Sequence, residues 1–389
     1  MKQLKVVLLG ALLASALLGM PARPGLWDRG NFQFNTTIRV LLQRLARSVT
    51  LRWGGTPVRV SGKSRSVWLP GNGGLRLDWR NSPRGPILVS AQPALRSQDL
   101  WLSAAATGPS YFEIGQRRYR GSIHVAIAED GLMVINQVPL EDYVAATLAG
   151  EMSPSWEAEA LKAQAVAARS YALYQTLNRH AALYDVESTN QDQVYPGENA
   201  ETASTERAAT ETAGVFLADN GLPIAAYFHS RCGGSTETSQ TVWNTNSPAG
   251  RHRVTCPFCR IKPYLWTSRW NRPRFLRALG FGSAEDSPLQ ISALGKSPSG
   301  RITSLRIAAA DTERTLTSDQ FRALLGYENI KSAYFQWKLS DQTIEFEGFG
   351  FGHGVGMCQW GARQLARQGR NFRQILAYYY PGIELQRQK

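Results

Sequence analysis

The chain has no apolar segment near its start long enough to cross a bilayer as a helix. Val6 to Leu18 is thirteen residues without a charge. As a helix it would span roughly 20 Å, short of the ~30 Å hydrocarbon core. With Lys2 and Lys5 ahead of it, the segment reads as an export signal over residues 1–22. No cysteine follows the run, which excludes a lipid-modified N-terminus. Gly19-Met20-Pro21-Ala22 is not a clean small-x-small cleavage site, so an uncleaved N-terminal anchor stays open beside a cleaved signal. The expected location is therefore exported, in the periplasm or cell wall, either free or held at the membrane by the N-terminal segment.

Low-complexity tracts and internal repeats are also missing. A chain of 389 residues, 43% hydrophobic and 19% charged, then reads as folded and larger than one small module. Acidic residues are scarce, 30 against 44 Lys and Arg, for a net charge of +14. A basic chain is drawn to polyanions. Export removes nucleic acid from the candidates and leaves wall polymers, anionic headgroups and lipopolysaccharide. The glycine-rich stretch Gly348 to Gly356 lacks the lysine of a phosphate-binding P-loop, and no nucleotide-fingerprint strand precedes it, which argues against nucleotide binding.

What is present alternates in character. Residues 23–110 carry short bursts such as Ile38 to Leu42, Val49 to Trp53 and Val58-Arg59-Val60, separated by turns such as Gly71-Asn72-Gly73-Gly74. That pattern predicts antiparallel β-structure. Ile123 to Ile127 and Leu132 to Ile135 extend it. From Trp156 to about Leu177 an alanine-rich stretch predicts a central, buried helix, with Ser153-Pro154-Ser155 as its N-terminal cap. Short strands and a helix near Ser318 to Leu325 follow. The glycine-rich loop then leads into a helix over Cys358 to Gln368. The class is α+β, with a β-rich N-terminal part over 23–110 and a mixed catalytic part over 111–385.

Glu151 stands in an uncharged stretch just before the predicted helix. Apolar surroundings would hold its proton to higher pH, as a general acid near neutrality requires, whereas a helix N-terminus would favour the anion. Taken bare, such a glutamate also suits capping or ion pairing. Lys162 and Arg169, seven positions apart on one helix face, can hold a substrate carboxyl or acetamido group or pair with an internal acid. Glu157 and Glu159 suit the helix start. His353 lies within the glycine-rich turn and Gln359 just beyond it, and the glycines would let the backbone fold tightly and present them to a ligand.

Cys256-Pro257-Phe258-Cys259, Cys232 and His229 make a Cys₃His set with zinc spacing, while export equally favours a disulfide. Free thiols are the third reading. Such a set saturates zinc and leaves no position for a catalytic water, so a zinc hydrolase ranks last. Cys358 stands apart as a buried small residue.

Glu151-Met152, Trp156 and the run Glu159 to Ala172 closely resemble the signature of the stage II sporulation protein D family, whose domain amidase-enhancer proteins share. Tyr227 to Thr236, with His229-Ser230-Arg231-Cys232-Gly233-Gly234, resembles a second family block. Ser299-Gly300-Arg301, Phe321-Arg322 and Gly350 to Ala362 resemble further landmarks, so the likeness runs from about Thr36 to Leu385. The resemblance implies a lytic transglycosylase that cleaves peptidoglycan glycan strands, preferring those whose stem peptides an amidase has removed. It makes Glu151 the catalytic acid and then base, gives Lys162, Arg169, His353 and Gln359 supporting roles, and requires no cofactor for catalysis. Its alternative is a non-catalytic peptidoglycan-binding enhancer of an N-acetylmuramoyl-L-alanine amidase. Glu141 and Asp142 lie ten and nine residues from Glu151, across an expected strand–helix unit, and neither is expected to supply a second catalytic carboxylate.

Overall fold

The computed structural model describes residues 37–388, except 64, 82–86, 91–94, 106–110, 129–130 and 283–287. The expected export segment, residues 1–22, lies outside the described residues. Among those described, no helix is long and apolar enough to cross a membrane. With 27% helix and 40% strand, the protein is α+β.

Alternation along the N-terminal strands sets which side faces inward. In Val58–Ser61, Val58 and Val60 are buried and Arg59 is exposed. These strands build two sheets. The seven-stranded sheet runs in the order Val186–Glu187, Thr37–Ala46, Gly131–Pro139, Ser122–Ala128, Asp99–Ala104, Val58–Ser61, Ser66–Leu69. The six-stranded sheet includes Ser48–Gly54 paired with Tyr111–Ile114. Their inner faces contribute to one apolar core. Pairings such as Asp99–Ala104 with Ser122–Ala128 therefore cross the expected boundary at residue 110. The β-rich stretch is thus the first half of sheets that residues beyond 110 complete, not a part of its own.

Two helices follow the last long strand. α1 is Leu140–Glu151 and α2 is Ala158–Asn178. In α2 the alanines at 160, 163, 165, 167, 168 and 172 are all fully buried. Their small side chains admit α1 and the helices Ala203–Glu211, Gln359–Arg367 and Phe372–Tyr379 close against it. The expected Ser153–Ser155 cap does not form. Ser153 and Ser155 bond each other at 2.9 Å, and Glu157 holds the cap position without a side-chain bond.

A second core lies between Trp266 and Phe346. Phe275, Phe321, Phe335 and Phe346 form its centre, with ring centroids about 6 Å apart in edge-on, tilted and stacked pairs. The helix Ser318–Leu325 belongs to it, with a capping box at Thr317 and Gln320.

Candidate active site

α1 ends on Glu151, whose side chain is half-buried. From sequence this residue is expected at a strand–helix junction, before a helix N-terminus. It lies instead at a helix C-terminus, where the negative end of the macrodipole disfavours the carboxylate. The helix dipole thus adds to burial rather than opposing it. Burial pushes the Glu151 carboxyl up to about 7, against two hydrogen bonds that lower it. One is the Val194 N–H, donated to Oε1 at 2.7 Å, and the other comes from the Gln359 side-chain amide. A carboxyl poised there holds a substantial neutral fraction at pH 7 and can give up a proton.

Gln359 opens the helix Gln359–Arg367 and is nearly buried. It sits just after the glycine-rich loop, where Gly350, Gly352, Gly354 and Gly356 all take positive φ, from 72° to 108°. A Cβ on Gly356 would run into the Tyr227 carbonyl oxygen, and one on Gly352 would sit 2.7 Å from His229 Cβ. The loop can close against this strand edge only with glycine at these positions.

His353 is the residue that loop folds around. Its Nδ1 accepts from the Val355 N–H at 3.0 Å, and its ring packs against Trp243 at 4.9 Å and His229 at 5.5 Å. Burial holds the imidazole well below its usual pKa, so it stays neutral. These contacts give His353 a place in the architecture of the loop.

Arg169 faces an internal acid. Its side chain is fully buried, and its guanidinium meets Glu141 through two bonds, Nε to Oε1 at 2.9 Å and Nη2 to Oε2 at 2.5 Å. Nη1 also donates to the Val215 carbonyl at 3.0 Å. Of the two roles open to Arg169, the structure shows the internal ion pair. That pairing also engages Glu141, which accepts the Gly214 N–H as well. Lys162 is likewise turned to acids of its own fold, Glu159 at 2.8 Å and Glu211 at 2.6 Å.

Residues close in the chain to Glu151 and Gln359 form a strip that periodicity does not reveal. Trp156, five residues beyond Glu151, meets Trp360 edge-on at 5.0 Å. Arg363 lies over both rings, at 4.9 and 5.2 Å. Trp360 also meets Arg231, 3.7 Å from its ring centroid and 5.2 Å from that of Tyr264. All five side chains are partly exposed. Glu157 ties the strip to the start of α2 by accepting from Arg363 at 3.1 Å and Arg367 at 2.5 Å. Trp156, Arg231 and Trp360 each lie inside a motif, but periodicity gives no reason to group residues from three distant segments.

The cysteines correct the expected metal set. Cys232, Cys256, Cys259 and Cys358 are all buried, and their sulfurs lie within 4.8 Å of one another. His229 is outside this group, with its Nδ1 bonded to the Val355 carbonyl at 3.1 Å. Cys358, expected to stand apart, completes the cluster in its place.

The fold and site define an α+β protein in which Glu151, a glutamic acid raised to near-neutral pKa, is accompanied by a cationic aromatic strip on neighbouring stretches of chain. A family model described as Stage II sporulation protein matches residues 128–218, and one described as a domain of unknown function matches residues 275–356. The chain is 36% identical over 278 residues to an uncharacterized protein of Brachyspira hyodysenteriae, covering 70% of this chain and 74% of that protein. It is 32% identical over 267 residues to the stage II sporulation protein D of Bacillus subtilis, covering 64% of this chain and 75% of the relative. It is 28% identical over 285 residues to the amidase enhancer of the same organism, covering 60% of this chain and 39% of that protein. The chain belongs to the stage II sporulation protein D and amidase-enhancer family. Membership supports a cell-wall-related function.

Proposed function

We propose that the protein is a lytic transglycosylase acting on peptidoglycan glycan strands with Glu151 as its catalytic residue. The observation that carries this reading is a half-buried carboxyl with a pKa of about 7, held by Val194 and by Gln359, the residue before Trp360 of a partly exposed aromatic strip. In this reading protonated Glu151 gives its proton to the glycosidic oxygen as the bond to C1 of N-acetylmuramic acid breaks. Positive charge develops at C1, and Glu151 is left as a carboxylate. That carboxylate takes the proton of the sugar's own C6 hydroxyl, whose oxygen closes on C1 as a 1,6-anhydro ring. Atoms balance without water, and one carboxyl serves both steps. A hydrolase would need two.

The strip supports the substrate class. Removing stem peptides leaves a free lactyl carboxylate on each muramic acid. Arg231 and Arg363, stacked on Trp360, offer planar forks of donors for such a carboxylate, and the rings offer apolar faces to the sugars. The net charge of +14 acts in the same direction at longer range. Lys2, Lys5 and the Val6 to Leu18 run support export to where this polymer lies. Incubating purified strands, with and without stem peptides, with wild-type protein and Glu151→Gln tests the reading by whether anhydro-ended fragments form and disappear together with the acid.

A second reading rests on one finding, the similarity to an amidase enhancer. There the strip would bind glycan while a partner amidase does the chemistry. It expects no glycan cleavage and faster turnover by an added amidase.

A further inference from the structure

We propose that Cys232, Cys256, Cys259 and Cys358 form a structural zinc site that fixes the active-site end of the helix Gln359–Arg367.

The four side chains arrive from three distant segments: the turn after Phe228–His229, the short helix Pro257–Ile261 with Cys256 at its cap position, and the residue before Gln359. Bringing four thiols together without water would strand weak donors and acceptors on one another. Around a tetrahedral zinc with Zn–S bonds of about 2.3 Å, neighbouring sulfurs lie about 3.8 Å apart. Here Cys259 and Cys358 are 3.5 Å apart, and no pair of ligand atoms is more than 4.8 Å apart. All four cysteines are free rather than disulfide-bonded.

The surroundings suit thiolates. The Cys232 N–H points at Cys358 Sγ and the Gly234 N–H at Cys232 Sγ, both at 3.4 Å. The Tyr379 hydroxyl stands 3.6 Å from Cys256 Sγ. Such donors offset the charge of a zinc bound by four thiolates, which is −2 once the thiols have released their protons. Gly361 leaves room for the sulfurs, since a Cβ there would stand 2.8 Å from Cys256 Sγ and closer still to the Tyr379 hydroxyl.

Four sulfurs close the coordination sphere, so the metal would bind no substrate or water. Its effect would be positional. Cys358 immediately precedes Gln359, the donor to Glu151, and Cys232 follows Arg231 of the aromatic strip. One ion would thus fix the chain at both residues.

The test is metal analysis of the full chain purified without chelator, with X-ray absorption at the zinc edge. One zinc per chain in an all-sulfur first shell is expected. The cobalt-substituted protein should show the intense thiolate-to-cobalt absorption of a four-sulfur site. Cys358→Ser should lower zinc occupancy, and His229→Gln should leave it at one. Should either variant fail to fold, the absorption edge of the wild-type protein still decides. Three sulfurs and one nitrogen would restore the His229 set and overturn this one. Absent zinc with four thiols open to a thiol reagent in the native protein, or with thiols lost to disulfides, would overturn the metal site altogether. Each of these results is read from metal and sulfur, so none depends on whether glycan is cleaved.

Discussion

The backbone N–H of Val194 donates to Glu151 Oε1 at 2.7 Å, across forty-three residues of chain. This bond, with that from Gln359, fixes the carboxyl at the end of α1 while burial keeps its proton on. Two donors hold an acid whose environment otherwise disfavours its charge, and the balance lands near neutrality. The proposed catalysis by Glu151 depends on that balance.

If protonated Glu151 delivers the proton, kcat/KM for glycan cleavage should fall about tenfold per pH unit above about 7, the pKa of the free enzyme. A profile rising through that region would mean that the carboxylate, not the acid, limits the first step.

Gln359→Leu removes a donor that stabilises the Glu151 anion. The carboxyl should then titrate above 7, and the alkaline limb of the profile should move to higher pH. An unmoved limb, measured on folded protein, would take Gln359 out of contact with the acid.

The same group links pH to stability. Its folded-state pKa is raised from 4.5 to about 7, so the folded protein binds more protons than the unfolded one between those values. Stability owed to this group therefore falls as pH rises from 4.5 to 7 and is level above. Glu151→Gln lacks the term. Denaturation midpoints should show the variant gaining on wild type across that window, and a constant difference would contradict the raised pKa.

Arg169→Met should destabilise by about 3 kcal/mol or more, because it strips Glu141 and the Val215 carbonyl of their buried partner. Urea denaturation measures the loss. Folded variant should retain the wild-type KM, since Arg169 reaches no solvent. A raised KM with unchanged stability would return Arg169 to the substrate.

Much of the framework was legible in residues. Val58-Arg59-Val60 alternates as a one-sided strand does, and the alanines of 158–178 read as a helix that others approach closely. The misplacement of α1 is instructive, because its signal was present. Leu140, Tyr143, Val144, Thr147 and Leu148 recur at helical spacing and are all buried, and Glu141 and Asp142 sit in the first turn, where acids favour a helix. Reading that segment as a strand reversed the sign of the dipole at Glu151. The partner of Arg169 was invisible for a different reason. An arginine twenty-eight residues from Glu141 pairs with it only because α1 and α2 pack side by side. Cys358 was set apart because it lies 99 residues beyond Cys259, a separation that only the folded chain removes.

The most direct measurement of the central claim is mass spectrometry of the products from purified glycan strands, with wild-type protein and with Glu151→Gln. The account predicts anhydro-ended fragments, one water lighter than hydrolysis products, formed preferentially from peptide-free strands and at least ~100-fold more slowly by the variant. Fragments that carry the added water, or cleavage undiminished in Glu151→Gln, would contradict it.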